Sequence, residues 1–369
     1  MNAMQKRKRK TVIITLTHKC NLRCIYCYEN HGQSSMEYEK ALEIIEYEFD
    51  NSRDFDEIEF DFFGGEPFIE FPLMKKIVEN VEKNNFHKPY CFFATTNGTL
   101  VQGEIIDWLR ERNNFYCGLS YDGTPEMQDA NRSGSSSLID LDFFIKQYPT
   151  QDIKMTISTD TLESLYDGVV YLEDKGFSVS CNLAYGIDWS DRKYADVLES
   201  ELSKLIKRYL NDPALTPSRI LKSNIDQLAA IQQDIKPYCG AGTAMVAYDV
   251  DGLSYPCQFF MPISCGEEKA RNADKIDFPT SFIPPDLIEE KCQNCVVRNV
   301  CPTCYGSNYS EFGNIYQQND NYCALTKIIM RARSYLRAKQ WELGQLDLST
   351  DEEKLLLKSI YLIQTKLNT

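Results

Sequence analysis

Cys20-Asn-Leu-Arg-Cys24-Ile-Tyr-Cys27 places three cysteines within one short stretch of the chain. A β-branched run, Thr11-Val-Ile-Ile-Thr-Leu-Thr17, precedes this stretch and predicts a strand. An iron–sulfur cube takes four thiolates when every iron has a protein ligand, and this stretch supplies three. Ordinary buried thiols are the alternative, but packing does not explain three thiols so close together. The stretch therefore predicts a cluster with one iron open to a small molecule.

The chain after this stretch alternates between strand and helix patterns. Glu57-Ile-Glu-Phe-Asp-Phe-Phe63 predicts a strand that leads into Gly64-Gly-Glu-Pro67, where two glycines permit a sharp turn and a close backbone approach. The other predicted strands lie at 89–96, 116–121, 153–159 and 177–183, and the helices at 36–51, 71–83, 103–112, 162–174 and 192–210. Six strand–helix units in order predict an α/β fold with a parallel sheet, whose ligand site lies at the carboxyl ends of the strands.

The spacing of Cys20, Cys24 and Cys27, with an aromatic residue before the last, resembles the CxxxCxΦC motif of the radical S-adenosylmethionine (radical SAM) enzymes. The resemblance implies that SAM binds the open iron and that one electron cleaves it to methionine and a 5′-deoxyadenosyl radical. This radical would remove a hydrogen atom from a C–H bond of the substrate. The resemblance also implies a partial (β/α)6 TIM barrel.

The Gly-Gly-Glu turn and the ends of the third and fourth strands are similar to the SAM-contacting motifs of that family. This similarity implies a set of SAM-binding residues, namely Tyr26, Gly64, Gly65, Glu66, Asn97 and Ser120. For Asn97 and Ser120 the alternative is that both side chains only close turns. Arg132 is either a contact for the substrate or the SAM carboxylate, or a solvated side chain.

A second block of cysteines lies late in the chain. Cys239 and Cys257 flank a predicted hairpin with its turn at Val250-Asp-Gly252, which would bring the two cysteines together. Five more cysteines follow, at Cys292, Cys295, Cys301, Cys304 and Cys323. Seven cysteines exceed one tetrahedral site, so two metal centres are predicted. Zinc is the alternative to iron–sulfur, although paired CxxC units of zinc ribbons usually have a longer spacer than these.

The second block resembles the SPASM extension of radical SAM enzymes, except that Cys301 and Cys304 are separated by two residues instead of three. The resemblance implies a distal auxiliary cluster held by Cys292, Cys295, Cys301 and Cys323. It implies a proximal auxiliary cluster held by Cys239, Cys257 and Cys304, with either Cys265 or an open iron completing the set. With the first motif, three 4Fe–4S clusters are expected. The cysteines inside predicted strands are interpreted as core thiols, namely Cys91, Cys117 and Cys181.

Length and composition bound the organisation of the chain. Its 369 residues allow two domains, and 43% apolar with 25% charged residues is ordinary for a globular protein. We expect a basic arm at 1–10, the radical SAM partial barrel at 11–210, a bridging segment at 211–237, the small cysteine-rich SPASM domain at 238–325 and C-terminal helices at 326–369. Helices are predicted there at 327–343 and 352–367.

Charge and cysteine content limit the expected partners. A net charge of −14 argues against a nucleic-acid partner. The chain shows neither a signal-peptide pattern nor an apolar run long enough for a bilayer, and its 14 cysteines are too many for an ordinary cytosolic enzyme unless they bind metal. A cytoplasmic protein without a membrane partner is therefore expected.

Two classes of radical SAM enzyme with a SPASM domain fit this chain. One matures ribosomally made peptides (RiPPs) by forming a thioether or another intrapeptide cross-link. The other is the anaerobic sulfatase-maturating enzyme, which makes formylglycine and has an aspartate base after the second SPASM cysteine. The chain has Gln258 at that position, and an amide accepts no proton near neutral pH. The sequence therefore favours the RiPP maturase and leaves its catalytic base unidentified.

Two partners and a mode of leader recognition follow from the RiPP maturase interpretation. The partners are a precursor peptide and an electron donor such as flavodoxin or ferredoxin. Since only ten residues precede the first strand, the leader peptide would be recognised either by a separate leader-peptide-binding protein or by a contact on the barrel face. A zinc-bearing, non-enzymatic binding protein is the more distant alternative. It predicts zinc, no iron and no affinity for SAM.

Overall fold

The computed structural model describes residues 8–84, 86–222, 225–229, 239–280, 283 and 285–367. The chain divides into two compact units. The first unit comprises Met1–Tyr121, Arg132–Ile153 and Gly240–Phe278, and the second comprises Asp122–Asn131, Lys154–Cys239 and Pro279–Thr369. The functional domain bounds expected from the sequence stay predictions.

The described residues form eight strands. These are β1 (Arg9–Thr17), β2 (Glu57–Gly64), β3 (Tyr90–Thr96), β4 (Phe115–Leu119), β5 (Ile153–Ile157), β6 (Val179–Leu183), β7 (Met245–Tyr248) and β8 (Ser254–Tyr255). The predicted strands and the predicted hairpin are all present, with ends that move by one to a few residues.

Thirteen α-helices lie in the described part of the chain. They are α1 (Tyr38–Asn51), α2 (Phe71–Lys83), α3 (Glu104–Arg110), α4 (Pro125–Asn131), α5 (Leu141–Gln147), α6 (Leu165–Asp174), α7 (Lys193–Asn211), α8 (Pro262–Cys265), α9 (Glu267–Ala270), α10 (Glu290–Gln293), α11 (Tyr305–Phe312), α12 (Asp320–Glu342) and α13 (Thr350–Lys366). Every predicted helix is present, and the short helices α4, α5 and α8 to α11 were not predicted.

The main sheet has the strand order β4-β3-β2-β1-β7-β8. β1 to β4 pair in parallel, β7 pairs in parallel with β1, and β8 is antiparallel to β7. The α/β fold with parallel strands is therefore confirmed. One feature of the expected sheet is wrong, because β5 and β6 form a separate two-stranded sheet among the described residues. Alternating patterns identify strands, but they do not determine which strands pair.

Side chains on alternate positions of the main sheet form its core. In β2 every second residue is buried, and Phe60 and Phe62 have no exposed surface. Phe62 stacks on Phe92 of β3 with ring centroids 5.6 Å apart. Parallel pairing then brings the carboxyl ends of β1 to β4 to one edge of the sheet. A register shift between Thr15 and Thr17 aligns Thr17 with Gly64 at that edge.

The second unit is mainly helical. A buried cluster unites residues of α12 and α13 with the segment 225–228, and it contains Ile225, Leu228, Val297, Met330, Ile363 and Leu367. Ser349 and Glu352 form a reciprocal capping box that starts α13, so the sequence itself sets the beginning of this helix. Among the described residues, no helix is both long and apolar enough to cross a membrane.

Candidate active site

The three-cysteine loop follows β1 in the first unit. Cys20 and Cys24 are half-buried and Cys27 is exposed. The loop closes on itself through the Cys27 N–H, which donates to the Cys24 carbonyl at 3.1 Å. The turn after β2 is hydrogen-bonded to the start of the cysteine loop. The Gly65 N–H donates to the Thr17 carbonyl at 3.1 Å, and the Glu66 N–H donates to the Lys19 carbonyl at 2.9 Å. Backbone hydrogen bonds thus join the cysteine loop to the Gly-Gly-Glu turn.

The two glycines of this turn are required by contact with the cysteine loop. Gly64 has a φ of +134°, and a Cβ there would lie 2.1 Å from the Thr17 carbonyl oxygen. A Cβ on Gly65 would lie 2.4 Å from the Lys19 carbonyl oxygen and 2.9 Å from the Cβ of Cys20. Any side chain at either position would displace the backbone that carries Cys20.

Glu66 lies under this turn and is 1% exposed. Its Oε1 accepts hydrogen bonds from the Thr96 hydroxyl at 2.7 Å and the Phe68 N–H at 3.2 Å, and its Oε2 accepts from the Asn97 N–H at 2.7 Å. Burial raises the pKa of Glu66 to about 7, against the lowering effect of these donors. The carboxylate therefore joins the end of β3 to the turn after β2.

The end of β3 is also joined to the cysteine loop. Asn97 donates through Nδ2 to Asn21 Oδ1 at 2.9 Å, and Asn21 donates through Nδ2 to the Thr99 hydroxyl at 2.8 Å. The Ser120 N–H, after β4, donates to the Thr96 carbonyl at 2.9 Å. Asn97 and Ser120, both predicted, thus lie at the same sheet edge as Glu66. Asn21 and Thr99 were missed, although Asn21 directly follows the first motif cysteine.

Arg132 is buried against the cysteine loop, so the interpretation as a solvated side chain is wrong. It is 9% exposed, and its guanidinium lies 5.4 Å from the centroid of the Tyr26 ring. Its Nη1 is 4.0 Å from Cys24 Sγ. Tyr26, predicted to bind SAM, is therefore covered by a cation that also faces the cysteines.

Two of these thiols are poor acids without a metal ion. Partial burial of the thiol group raises the pKa of Cys20 and of Cys27 to about 11, although Cys27 as a whole residue is exposed. A bound metal reverses this preference, since a coordinating thiol is deprotonated. Three mutually close thiols with nitrogen donors around them therefore fit the ligand set of an iron–sulfur cluster.

A group of polar side chains surrounds the residues that follow Cys27. His18 at the end of β1 pairs with Asp249 after β7, and this contact raises the pKa of His18. Glu29 Oε1 is buried and has no hydrogen-bond partner among the described residues. Burial is the largest cause that raises the pKa of Glu29 to about 7, and the nearby Asp249 adds to it. No sequence pattern marked this group beyond its closeness to Cys27.

We expect Glu29→Gln to stabilise the chain at alkaline pH. Because the pKa of Glu29 is raised from 4.5 to about 7, the folded chain retains a proton that the unfolded chain releases, and stability falls as pH rises through this range. The neutral amide avoids that loss. We expect a gain of about 1–3 kcal/mol in unfolding free energy at pH 8 and under about 1 kcal/mol at pH 5.

Urea unfolding before cluster reconstitution measures this effect. Glu46→Gln is the matched control, because Glu46 is exposed on α1. An equal gain at both pH values would contradict the assignment of Glu29 as a buried carboxyl group with a raised pKa.

The four distal cysteines converge in the second unit. A cavity of about 300 Å³ is lined by all four, Cys292, Cys295, Cys301 and Cys323. Burial and the neighbouring thiols raise the pKa of Cys301 to about 12 and of Cys292 to about 11. Within the described part of the chain, no three His, Cys, Asp or Glu side chains are arranged to hold one metal ion.

The residues predicted for the proximal cluster belong to different units. Cys304 in the second unit caps α11, accepting the Ser307 N–H at 3.4 Å, and burial raises its pKa to about 11, with a further rise from Cys239. Cys257 is buried in the first unit, where Cys265 ends α8. Their shared ligation stays a prediction.

The three strand cysteines divide between buried and half-buried positions. Cys117 and Cys181 are buried, as predicted for core thiols. Cys91 is partly exposed, so its interpretation as a core thiol is wrong. It lies on a face of β3 where burial is incomplete.

Comparison with known families identifies the class of this protein. Residues 14–200, just over half of the chain, match the model of the Radical SAM superfamily. The chain therefore belongs to the radical SAM superfamily of enzymes. S-adenosylmethionine and an iron–sulfur cluster are accordingly its cofactors.

Curated relatives point to more than one activity. The radical SAM cyclopropyl synthase TigE of Paramaledivibacter caminithermalis is 23% identical over 87% of this chain and 73% of that protein. A cysteine-type anaerobic sulfatase-maturating enzyme of Clostridium novyi is 26% identical over 77% of this chain and 83% of that protein. The uncharacterized protein MJ0907 of Methanocaldococcus jannaschii is 34% identical, but the match spans 36% of this chain and less than half, 46%, of that protein.

Solved structures share the fold. The protein anSMEcpe with bound AdoMet and the Cp18Cys peptide gives a TM-score of 0.65 at 21% identity, over 87% of this chain and 96% of that one. Streptococcus suis SuiB bound to its precursor peptide SuiA gives a TM-score of 0.51 at 15% identity, over 86% of this chain and 76% of that one. At these identities the likeness concerns the fold alone.

Proposed function

We propose that the chain is a radical SAM peptide maturase that forms a thioether or another cross-link within a ribosomally made peptide. The motif cysteines Cys20, Cys24 and Cys27 would hold the cluster that binds SAM. When bound, the cluster and SAM supply a carbon radical that removes hydrogen from the peptide. The superfamily assignment and the convergence of the loop, turn and strand ends in the first unit support this proposal.

The choice between a RiPP maturase and a sulfatase-maturating enzyme rests on the position of Gln258. Gln258 starts a short helical turn directly after Cys257, and its buried Oε1 has no hydrogen-bond partner among the described residues. The adjacent Phe259 stacks on the ring of Tyr28, the residue after Cys27, with centroids 4.1 Å apart. The side chain after the second SPASM cysteine therefore lies beside the SAM-cluster loop, where a base would be useful. An amide there cannot remove a proton, which favours cross-linking over formylglycine formation.

The residues at the sheet edge have separate roles in this proposal. Gly64 and Gly65 let the backbone of the turn approach the cysteine loop, and Glu66 fixes the turn to the end of β3 by accepting from the Thr96 hydroxyl and the Asn97 N–H. This fixed turn would present backbone groups and the Glu66 carboxylate to the SAM ammonium group. Tyr26, Asn97 and Ser120 would complete the SAM pocket, with Arg132 held against Tyr26.

The late cysteines would hold two auxiliary clusters, giving three 4Fe–4S clusters in all. Zinc ligands lie about 2.3 Å from one ion, whereas a cube spreads its thiolates over separate irons. The four distal cysteines line one cavity, which supports a shared centre. Cys239, Cys257 and Cys304 would hold the proximal cluster, and Cys265 or an open iron would complete it. Elemental analysis after anaerobic purification distinguishes iron from zinc.

The proposal includes two partners and a location. The precursor peptide is the substrate, and flavodoxin or ferredoxin donates electrons. A cytoplasmic location follows from the need to keep 14 free cysteines and oxygen-sensitive clusters reduced.

The decisive experiment is an intact-mass measurement of a peptide. The chain is expressed anaerobically together with a short, cysteine-containing open reading frame encoded beside its gene. We expect the peptide to lose two hydrogens and retain its sulfur, and fragmentation then locates the bond. A chain with Cys20, Cys24 and Cys27 replaced by Ala is the control and leaves the mass unchanged. An unmodified peptide beside the intact chain would contradict the proposal.

Formylglycine formation is the second candidate function. The chain matches the sulfatase-maturating enzyme of Clostridium novyi over most of both lengths, which favours this candidate. A sulfatase-derived peptide offered to the same preparation tests it. Conversion of its Cys or Ser to an aldehyde would identify this second function and show that another residue replaces the missing aspartate.

A further inference from the structure

Nitrogen atoms of the protein surround the sulfurs of the three-cysteine loop. Nitrogen neighbours of these sulfurs among the described residues include the Leu22 N–H at 3.5 Å from Cys20, Arg132 Nη1 at 4.0 Å from Cys24, and His31 Nε2 at 3.4 Å from Cys27, which also has a backbone hydrogen bond from Glu29. The first is a backbone contact, and Arg132 also packs on Tyr26. The contact of His31 is therefore the one that a substitution probes most cleanly.

The backbone on both sides of His31 is fixed. The Asn30 N–H donates to the Ile263 carbonyl at 2.7 Å, and the Gly32 N–H donates to the His18 carbonyl at 3.1 Å. A Cβ on Gly32 would lie 3.2 Å from the His18 Cβ, so this strand end and the loop are closely packed. Further along the chain, Ser35 forms an isolated antiparallel β-bridge with Thr17 at the end of β1. These contacts hold the imidazole of His31 at Cys27.

The chemistry of a ligating thiolate determines the direction of the hydrogen bond. A thiolate bound to iron has no proton and acts only as an acceptor. Nε2 of His31 must therefore carry the proton and donate it toward Cys27 Sγ. Hydrogen bonds to the sulfurs are one of the means by which proteins set the potential of iron–sulfur clusters.

We propose that His31 is a positioning residue that raises the reduction potential of the cluster held by Cys20, Cys24 and Cys27. The reduced cluster carries one more negative charge than the oxidised cluster, so an N–H donor at its thiolate stabilises the reduced form more. His31 thus favours the state that delivers an electron to SAM. This inference rests on the cluster assignment in the proposed function.

A redox titration of reconstituted full-length protein, followed by electron paramagnetic resonance, tests the inference. The signal of the open-iron cluster is identified as the one that changes when SAM is added, which separates it from auxiliary clusters. We compare the wild type with His31→Ala and His31→Gln, since Gln retains an N–H donor. His87→Ala is the matched control, because His87 is exposed and far along the chain from the motif.

We expect His31→Ala to lower the ratio of reduced to oxidised cluster roughly tenfold at a fixed potential, equivalent to about 59 mV for one electron. His31→Gln should recover much of this loss, and His87→Ala should match the wild type. These results would separate hydrogen bonding from a general structural effect, which the donor-retaining variant would not reverse.

Three results would overturn the inference. An unchanged potential in His31→Ala, with a SAM-sensitive signal present, would exclude tuning while leaving the proposed function intact. Loss of about one cluster's iron in both His31 variants would make His31 a ligand instead. Absence of any SAM-sensitive signal in the wild type would overturn the cluster assignment and this inference with it.

Discussion

Replacement of Cys20, Cys24 and Cys27 together by Ala is expected to reduce 5′-deoxyadenosine formation to the level of the reaction without protein. These thiols are the proposed ligands of the cluster that reduces SAM, and the alanine side chain cannot bind iron. Iron content should fall by about four atoms per chain. Chromatographic measurement of deoxyadenosine in the presence of dithionite and SAM gives the result, with iron measured on the same sample.

Two controls separate this loss from misfolding. Cys91→Ala removes a half-buried thiol in β3 that lies outside both cysteine blocks, and we expect it to retain the activity. In the triple variant, the iron that remains in the late cysteine block reports that the rest of the chain has folded. Deoxyadenosine formation that persists in the triple variant would exclude this loop as the site of SAM cleavage.

Gly64→Ala is expected to lower the free energy of unfolding by about 3–5 kcal/mol. Two effects add at this position, since the φ of +134° strains any residue with a side chain and the new Cβ would lie 2.1 Å from the Thr17 carbonyl. The collision is with backbone, so rotation of a side chain cannot relieve it. Displacement of Thr17 would also move the cysteine loop, and we expect lower iron content after reconstitution.

Gly103→Ala is the matched control for Gly64→Ala. Gly103 has a φ of +49°, but a Cβ there would meet no atom within 4 Å. This variant therefore carries conformational strain without a collision with backbone, and we expect a loss of about 1–3 kcal/mol without loss of iron. Urea unfolding of both variants gives the comparison. If both variants lost the same free energy of unfolding, the close approach of the turn to the cysteine loop would have no effect on stability.

Local sequence patterns predicted much of the first unit. Cysteine spacing marked the loop, and alternating residues marked the strands whose carboxyl ends place Glu66, Asn97 and Ser120 at one edge. These predictions succeeded because spacing and periodicity act within a few residues. Local patterns could predict which residues meet at the site only because the carboxyl ends of parallel strands lie at the same edge of a sheet.

Contacts between distant segments could not be predicted in this way. The burial of Arg132 and the pairing of His18 with Asp249 depend on segments that are over 100 residues apart. The hydrogen bonds of Glu66 likewise come from the end of β3, about 30 residues later, and no local pattern encodes them. The distribution of β5 and β6 into a separate sheet was missed for the same reason.

The pairing of β1 with β7 has a consequence for biosynthesis. Residues 11–14 pair in parallel with residues 245–248, so one side of the first strand lacks its neighbour until the hairpin has been translated. At synthesis rates of about 5–20 residues per second, that interval lasts roughly 10–50 s. During this time β1 is an unprotected sheet edge, the kind of surface that recruits other chains into aggregates. The nascent chain should therefore depend on chaperones during this interval.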